Sequence, residues 1–230
     1  MHLTIFGADG ATGARLVEAG LAAGHDLRAC HLGESPPERR HERLTWMRAD
    51  LIGAEGLGPA LEGADAVLNA VGIDAGPSTV IDPPPLHTKG TVHLIEAMRA
   101  AGVGRLVTIS ASFVETTARG PVWFRAAAST GLRAIFDQLA TMELILRATE
   151  TLRWTAVRPG WLLDEGPSGD YRVFPEVIPE DLIRTRTGDL AAFMLACAEG
   201  DLHVRETPAI ARPEDPSKSG PDAVLRDMVG

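Results

Sequence analysis

The chain opens MHLTIFGADGATGARLVEAGLAAGHDL, and this stretch limits the possible folds more than any other. An apolar run, Leu3–Phe6, stops at Gly7. Glycines recur at 10 and 13, and an amphipathic stretch starts at once, with Ala14, Val17 and Leu21 at helical spacing up to Gly24, a natural glycine stop. A buried strand that turns on glycines into a helix is the first half of a βαβ unit. Gly7-Ala8-Asp9-Gly10-Ala11-Thr12-Gly13 spells G-x-x-G-x-x-G. In such a turn the first glycine permits the sharp exit from the strand. The second lets a phosphate approach the backbone, and the third lets helix and strand pack closely. The helix start offers unpaired N–H groups and the positive end of a dipole, which suits a pyrophosphate. Thr12 adds a hydroxyl donor. The stretch predicts a dinucleotide site built from Gly7, Asp9, Gly10, Ala11, Thr12 and Gly13.

Downstream, strand-like and helix-like runs alternate. Strands are expected at Leu27–Leu32, Leu44–Arg48, Ala66–Val71, Arg105–Ile109 and Trp154–Arg158. Helices are expected at Ala11–Ala23, around Glu55–Leu61, and at Leu86–Ala100, Leu132–Thr149 and Thr187–Ala198. The βαβα order predicts a parallel sheet covered on both faces. Strands buried on both sides read as unbroken apolar runs, and LTIF, DAVLNAV, RLVTI and WTAV read that way. Right-handed crossovers then close a Rossmann-like, doubly wound α/β fold: three layers, αβα, in a single domain over 1–210. The terminal segment 211–230, which opens ARPEDPSKSGPD, is Pro-, Ser- and charge-rich and reads as a mobile tail.

Composition removes several classes. A net charge of −9 leaves no broad basic surface for nucleic acid. No run of 18 apolar residues occurs and no basic region precedes the first strand, so the expectation is a cytoplasmic chain with no membrane span. Cys30 and Cys197 lie far apart and read as free, packed thiols. The seven histidines are scattered without ligand spacing, so no metal site is expected.

Six elements, in order, carry a resemblance. FGADGATG resembles the F-G-A-T-G-x-T-G of atypical short-chain dehydrogenase/reductases, the group of NmrA-like proteins and of the biliverdin reductase B and flavin reductase type. Asp50-Leu51 is similar to that group's G-D-hydrophobic element near the adenine, and AVLNAVG (66–72) to its fourth strand. AGVGRLVTISAS (101–112), LRWTAVRPGWL (152–162) and TRTGDLAAFMLAC (185–197) resemble three later motifs. The resemblance implies NADP or NAD as cofactor. It places Asp50, Leu51, Ala70, Val71, Gly72, Ser110, Pro159, Gly160 and Trp161 around that cofactor. At the end of strand two an acidic residue favours NAD and a basic one NADP. This chain reads CHLGES there, followed by Arg39 and Arg40. Either Arg39 covers a 2′-phosphate or Glu34 accepts from a ribose; family habit leans to NADP.

Ordinary members of the superfamily use Tyr-x-x-x-Lys for proton transfer. Here the only tyrosine is Tyr171, followed by Arg-Val-Phe-Pro, and the only lysines are Lys89 and Lys218. The pair is absent from the whole sequence. What remains at the carboxyl edge of the sheet is Ser110 and Ser112, the candidate catalytic hydroxyls. Phe113, Trp123, Phe124 and Trp161 are candidates for an aromatic-edged substrate pocket. The loop Glu115–Ser129 reads as a lid in which Arg119 or Arg125 meets an anionic substrate. Glu143 and Asp189 read as structural carboxylates, His31 and His93 as packed or solvent-facing residues, and His87, in the loop after the prolines, as a weak candidate to border the cofactor. The resulting expectation is a reductase that passes hydride to a small flavin, quinone or similar conjugated acceptor, as monomer or homodimer. The alternative is a nucleotide sensor without turnover. An epimerase or dehydratase fits less well, since those also lean on the Tyr/Lys pair.

Overall fold

The computed structural model describes residues 1–73, 82–116, 132–219 and 223. Strand β1 (His2–Phe6) becomes the centre of the sheet. β2 (Asp26–His31) and β3 (Leu44–Arg48) lie to one side of it. β4 (Ala66–Asn69), β5 (Arg105–Ile109) and β6 (Arg153–Pro159) lie to the other. All six are parallel, and Leu3 of β1 stands opposite both Leu27 of β2 and Ala66 of β4. The order 3-2-1-4-5-6 reverses at β1, which places a crevice over the carboxyl ends of β1, β2 and β4.

Successive residues in a strand point to opposite faces, so each apolar strand feeds two cores. Leu3, Ile5, Leu68, Val107 and Val157 pack under α1 (Ala11–Ala22) and α6 (Thr187–Gly200), against Leu16, Val17, Leu190 and Met194. Phe6, Val67, Leu106 and Trp154 face the other way. They meet α2 (Leu57–Leu61), α3 (Thr91–Ala101) and α5 (Arg133–Arg147) through Leu61, Leu94, Met98, Met142 and Leu146. Each fully buried Leu or Met of this kind contributes ~1.5–3 kcal/mol. A short helix, α4 (Phe113–Thr116), follows β5. The three-layer αβα arrangement expected from the sequence is the one observed.

Three departures refine the expectation. The single helix expected from Leu86 starts as a wide turn, Leu86–Gly90, in which the Gly90 N–H reaches back five residues to the Pro85 carbonyl; α3 proper begins at Thr91. The sheet has two further strands. β10 (Ala209–Ala211) adds parallel to β6, and β8 (Arg172–Phe174) adds antiparallel to β10, while β7 (Trp161–Leu163) and β9 (Arg184–Arg186) form a separate parallel pair. Finally, the segment set apart from 211 onward is docked as far as Ser219. Ala211 closes β10, Glu214 is clasped by Arg186 and Arg212, and a last helical turn, α7 (Pro216–Ser219), presents Lys218 to Glu165. Ion pairs between residues distant in sequence supply an anchor that a Pro- and charge-rich composition conceals. No helix of the described residues is long and apolar enough to cross a membrane.

Candidate functional site

The chain leaves β1 through Gly7, whose φ of +71° only glycine adopts without strain. A Cβ on Gly7 would stand 2.9 Å from the Val71 backbone, so the turn lies flush against the end of β4. Gly13 is packed more tightly still: a Cβ there would lie 1.9 Å from the Gly7 carbonyl oxygen, where helix α1 crosses the strand exit. Gly10 differs. Its backbone is extended (φ −80°, ψ 169°), and a Cβ would come no nearer than 3.4 Å to the Gly7 oxygen. The protein itself does not demand glycine at 10; in a turn of this kind the middle glycine is the one that lets a phosphate approach the backbone.

Gly10 caps α1 without a side-chain hydrogen bond, which leaves the first N–H groups of the helix pointing outward. They open on a cleft of ≈ 630 Å³ over the sheet switch point. Gly7, Asp9, Gly10, Ala11 and Thr12 form its floor. Asp50 and Leu51 line it from the end of β3, and Ala70, Val71 and Gly72 from the end of β4. The volume suits a small ligand or part of a larger one. Among the described residues no lysine or arginine lines this cleft, so a pyrophosphate there is met by helix N–H groups and the helix dipole. The β3–α2 turn is fixed by its own bonds: the Ile52 N–H donates to Asp50 Oδ1 (2.8 Å), and His93 Nδ1 on α3 donates to the Leu51 carbonyl (2.9 Å). At β4, Asn69 Nδ2 donates to Thr108 Oγ1 (3.1 Å), tying strand ends β4 and β5 together.

Other expected residues fall elsewhere. Arg39 does not line the cleft; its guanidinium donates to Glu18 on α1 at 2.7 Å. Ser110 and Ser112 are buried. Ser110 Oγ donates to Glu143 (2.7 Å) and Ser112 Oγ to the Arg158 carbonyl (2.8 Å), so both hydroxyl protons are committed within the protein. Glu143 also accepts twice from the Arg158 side chain, at 2.8 and 2.6 Å. Phe113 packs on Phe136 of α5, ring centroids 5.8 Å apart, in the core. Trp161 is half-buried against the same core, and its neighbour Leu162 reaches the cleft instead. Pro159 ends β6, and the Gly160 N–H donates to Thr185 Oγ1 (2.9 Å), under the β7–β9 pair. Asp189, in the first turn of α6, accepts from the Ser168 N–H and hydroxyl, both 2.6 Å. Trp123, Phe124, Arg119 and Arg125 lie outside the described residues.

The cleft also holds residues that sequence reasoning did not place in the site: Cys30 and His31 at the end of β2, and Ile73, Leu86 and Leu162. Burial pushes the Cys30 thiol up to about 12, so it is inert. Leu86 follows three prolines and Leu162 follows the β6 turn, and no periodicity singles out either. A second cavity of ≈ 650 Å³, beside Trp154, Phe174 and Arg205, has no glycine turn and no helix start, and stands apart from the switch point.

A glycine turn flush against β4, an uncapped helix start and a crevice at the sheet reversal define a dinucleotide-binding Rossmann domain. Residues 7–201 match the profile of the NAD(P)H-binding family, and the chain belongs to it. It binds a nicotinamide nucleotide, and the cleft's geometry fits that ligand. A chloroplastic protein of Arabidopsis thaliana, itself uncharacterised, is 28% identical over 235 residues, spanning 95% of this chain and 79% of its own length. Two solved structures share the fold. One is a wide-type short-chain dehydrogenase/reductase of Veillonella parvula in complex with NADP (TM-score 0.74, 17% identity, 92% of this chain and 94% of that one). The other is a candidate NADH-flavin reductase of Streptococcus pneumoniae (TM-score 0.72, 21% identity, 93% and 100%).

Proposed function

We propose that the protein is an NAD(P)H-dependent reductase of the atypical short-chain type, acting on a flavin, quinone or other flat conjugated acceptor. The observation that carries this is a cleft with a glycine turn and an open helix start beside a helix, α5, that has Gln138 and Glu143 but no Tyr-Lys pair. The one tyrosine, Tyr171, packs on Phe193 of α6 in the other core layer, 6.0 Å between ring centroids. A bound nicotinamide supplies hydride; an extended acceptor takes it without a side-chain acid, its proton coming from solvent. The protein's part is then orientation. The α1 start and the turn fix the pyrophosphate. Ile73, Leu86 and Leu162, which line the cleft, give an apolar wall for a flat ring. Likeness to the Streptococcus protein, a candidate NADH-flavin reductase, supports a flavin acceptor, and the NADP in the Veillonella structure supports NADP among the nucleotides used.

The inward-turned Ser110 and Ser112 favour the second reading, a nucleotide sensor without turnover. One experiment separates the two: steady-state oxidation of NADPH and NADH with FMN and with a soluble quinone. Turnover with either acceptor establishes the reductase. Tight nucleotide binding with no turnover across the panel rejects it in favour of the sensor.

A further inference from the structure

We propose that His31, and not Arg39, reads the adenosine ribose of the bound nucleotide. This rests on the nucleotide reading of the cleft. The end of β2 borders the cleft on the side away from β4 and β6, where a fold of this kind meets the adenosine ribose. His31 is the last residue of β2 and lines the cleft. It is 5% exposed, and its Nδ1 is buried without a hydrogen-bond partner among the described residues. Buried polar side-chain atoms are nearly always satisfied, so this nitrogen calls for a partner that no described residue supplies.

The surroundings hold the ring in place for one. His31 meets Trp46 of β3 edge to face, centroids 6.0 Å apart at 76°, and Trp46 Nε1 in turn donates to the Arg39 carbonyl (3.0 Å). The His31 carbonyl accepts from Ala49 (3.0 Å), pinning the backbone. Past the strand, a Cβ at Gly33 would stand in ordinary contact with the Ser35 carbonyl oxygen (3.7 Å) and with Nδ1 (4.0 Å). Arg39 thus contributes its carbonyl to this arrangement, while its guanidinium is engaged by Glu18, which also holds Arg15 at 3.3 Å. An aspartate can only accept and an arginine can only donate, but an imidazole does either. It serves a ribose 2′-hydroxyl and a 2′-phosphate oxygen alike, so the chain uses both NADH and NADPH.

Titration calorimetry of the full chain with NADPH and NADH tests this without any turnover. The wild type is expected to bind the two within about tenfold of each other, and His31→Ala to weaken both by about tenfold, the value of one lost hydrogen bond. His31→Arg is expected to move the ratio toward NADPH by about tenfold or more through a charge-assisted bond. His31→Asn keeps a nitrogen near the Nδ1 position and retains binding within about threefold, which guards against a variant that merely fails to fold. Arg39→Ala leaves the ratio within about threefold. A ratio that collapses in Arg39→Ala and ignores every change at 31 overturns the proposal alone. A wild-type chain that binds neither nucleotide overturns it together with the nucleotide reading of the cleft.

Discussion

Two glycines three residues apart in the opening turn are under different constraints, and substitution separates them. Gly13→Ala forces a methyl onto the Gly7 carbonyl and is expected to cost ~2–4 kcal/mol of stability. Gly10→Ala fits the free protein and is expected to change stability by less than about 0.5 kcal/mol while weakening nucleotide binding. Thermal melts with and without nucleotide read both effects. The motif assigns the three glycines different roles, and the distances show close packing at Gly7 and Gly13 and ordinary contact at Gly10. His87 gives a second prediction. Buried in the wide turn, with its N–H on Gln138, it is driven by burial from the ordinary 6.5 down to about 4. The native state therefore keeps the ring neutral where the unfolded chain takes up a proton. Stability is intact above pH 6.5 and falls as pH drops toward 4, by at most ~3 kcal/mol. The carboxylates of Glu18, Glu214 and Asp170, held low by Arg39, Arg186 and Arg212, lose their contribution only below their ordinary values of 4.5, 4.5 and 3.8. Urea midpoints between pH 5 and 7 should slope in the wild type and flatten in His87→Gln. His31 read as packed or solvent-facing because a lone histidine carries no pattern. Arg39 looked available because its partner, Glu18, sits on a different element.

Helix α5 shows what becomes of the position that ordinary relatives give to proton transfer. Its inward face carries Glu143, which gathers Arg158 of β6 and Ser110 of β5 into one buried network and lies 3.5 Å from Arg147. The network fixes the exits of β5 and β6 relative to α5, and hence the start of the segment bearing Leu162. Glu143→Leu removes the carboxylate from a fully buried guanidinium and is expected to cost ~3–5 kcal/mol. Glu143→Leu with Arg158→Met removes both charges and should recover much of that loss, which paired denaturation curves would show. Long elements were legible because periodicity accumulates over their length. The core strands and α1, α3, α5 and α6 follow the sequence reading to within a few residues, apart from the wide turn that precedes α3. The strands β7, β8, β9 and β10 have three residues each, too few for a period, and they pair with segments far along the chain. The serines were read as strand-end hydroxyls facing a ligand; their carboxylate and carbonyl partners come from α5 and β6, which no local pattern reveals.

At the scale of the molecule, ion pairs join the last described segment to the loop after β7. Arg212 holds Asp170 (2.7 Å) and Glu214 (2.5 Å), and Arg186 holds Glu214 (2.5 Å) and Glu165 (3.2 Å). Arg15 on α1 reaches Asp164 (3.7 Å), so the same loop is tied to the nucleotide-binding helix. Glu214→Ala leaves two arginines facing each other and is expected to lower stability by ~1–3 kcal/mol, less in high salt. Hydrogen exchange over 163–170 should quicken in that variant, whereas exchange in β1 and β4 should not. The doubly wound sheet was legible from alternation alone; this clasp was not, because charge complementarity between distant segments leaves no local trace. The added strand has a further consequence. β6 ends at Pro159, and the stretch that covers its outer edge, from Arg205 and Glu206 into β10, is made only after the residues between them. A ribosome takes roughly 2–9 s to make that interval. For that interval the growing chain carries the apolar row Trp154-Thr155-Ala156-Val157 with one side of its backbone unmatched. An unmatched edge of that kind is open to pairing with the same edge of another nascent chain on the same message.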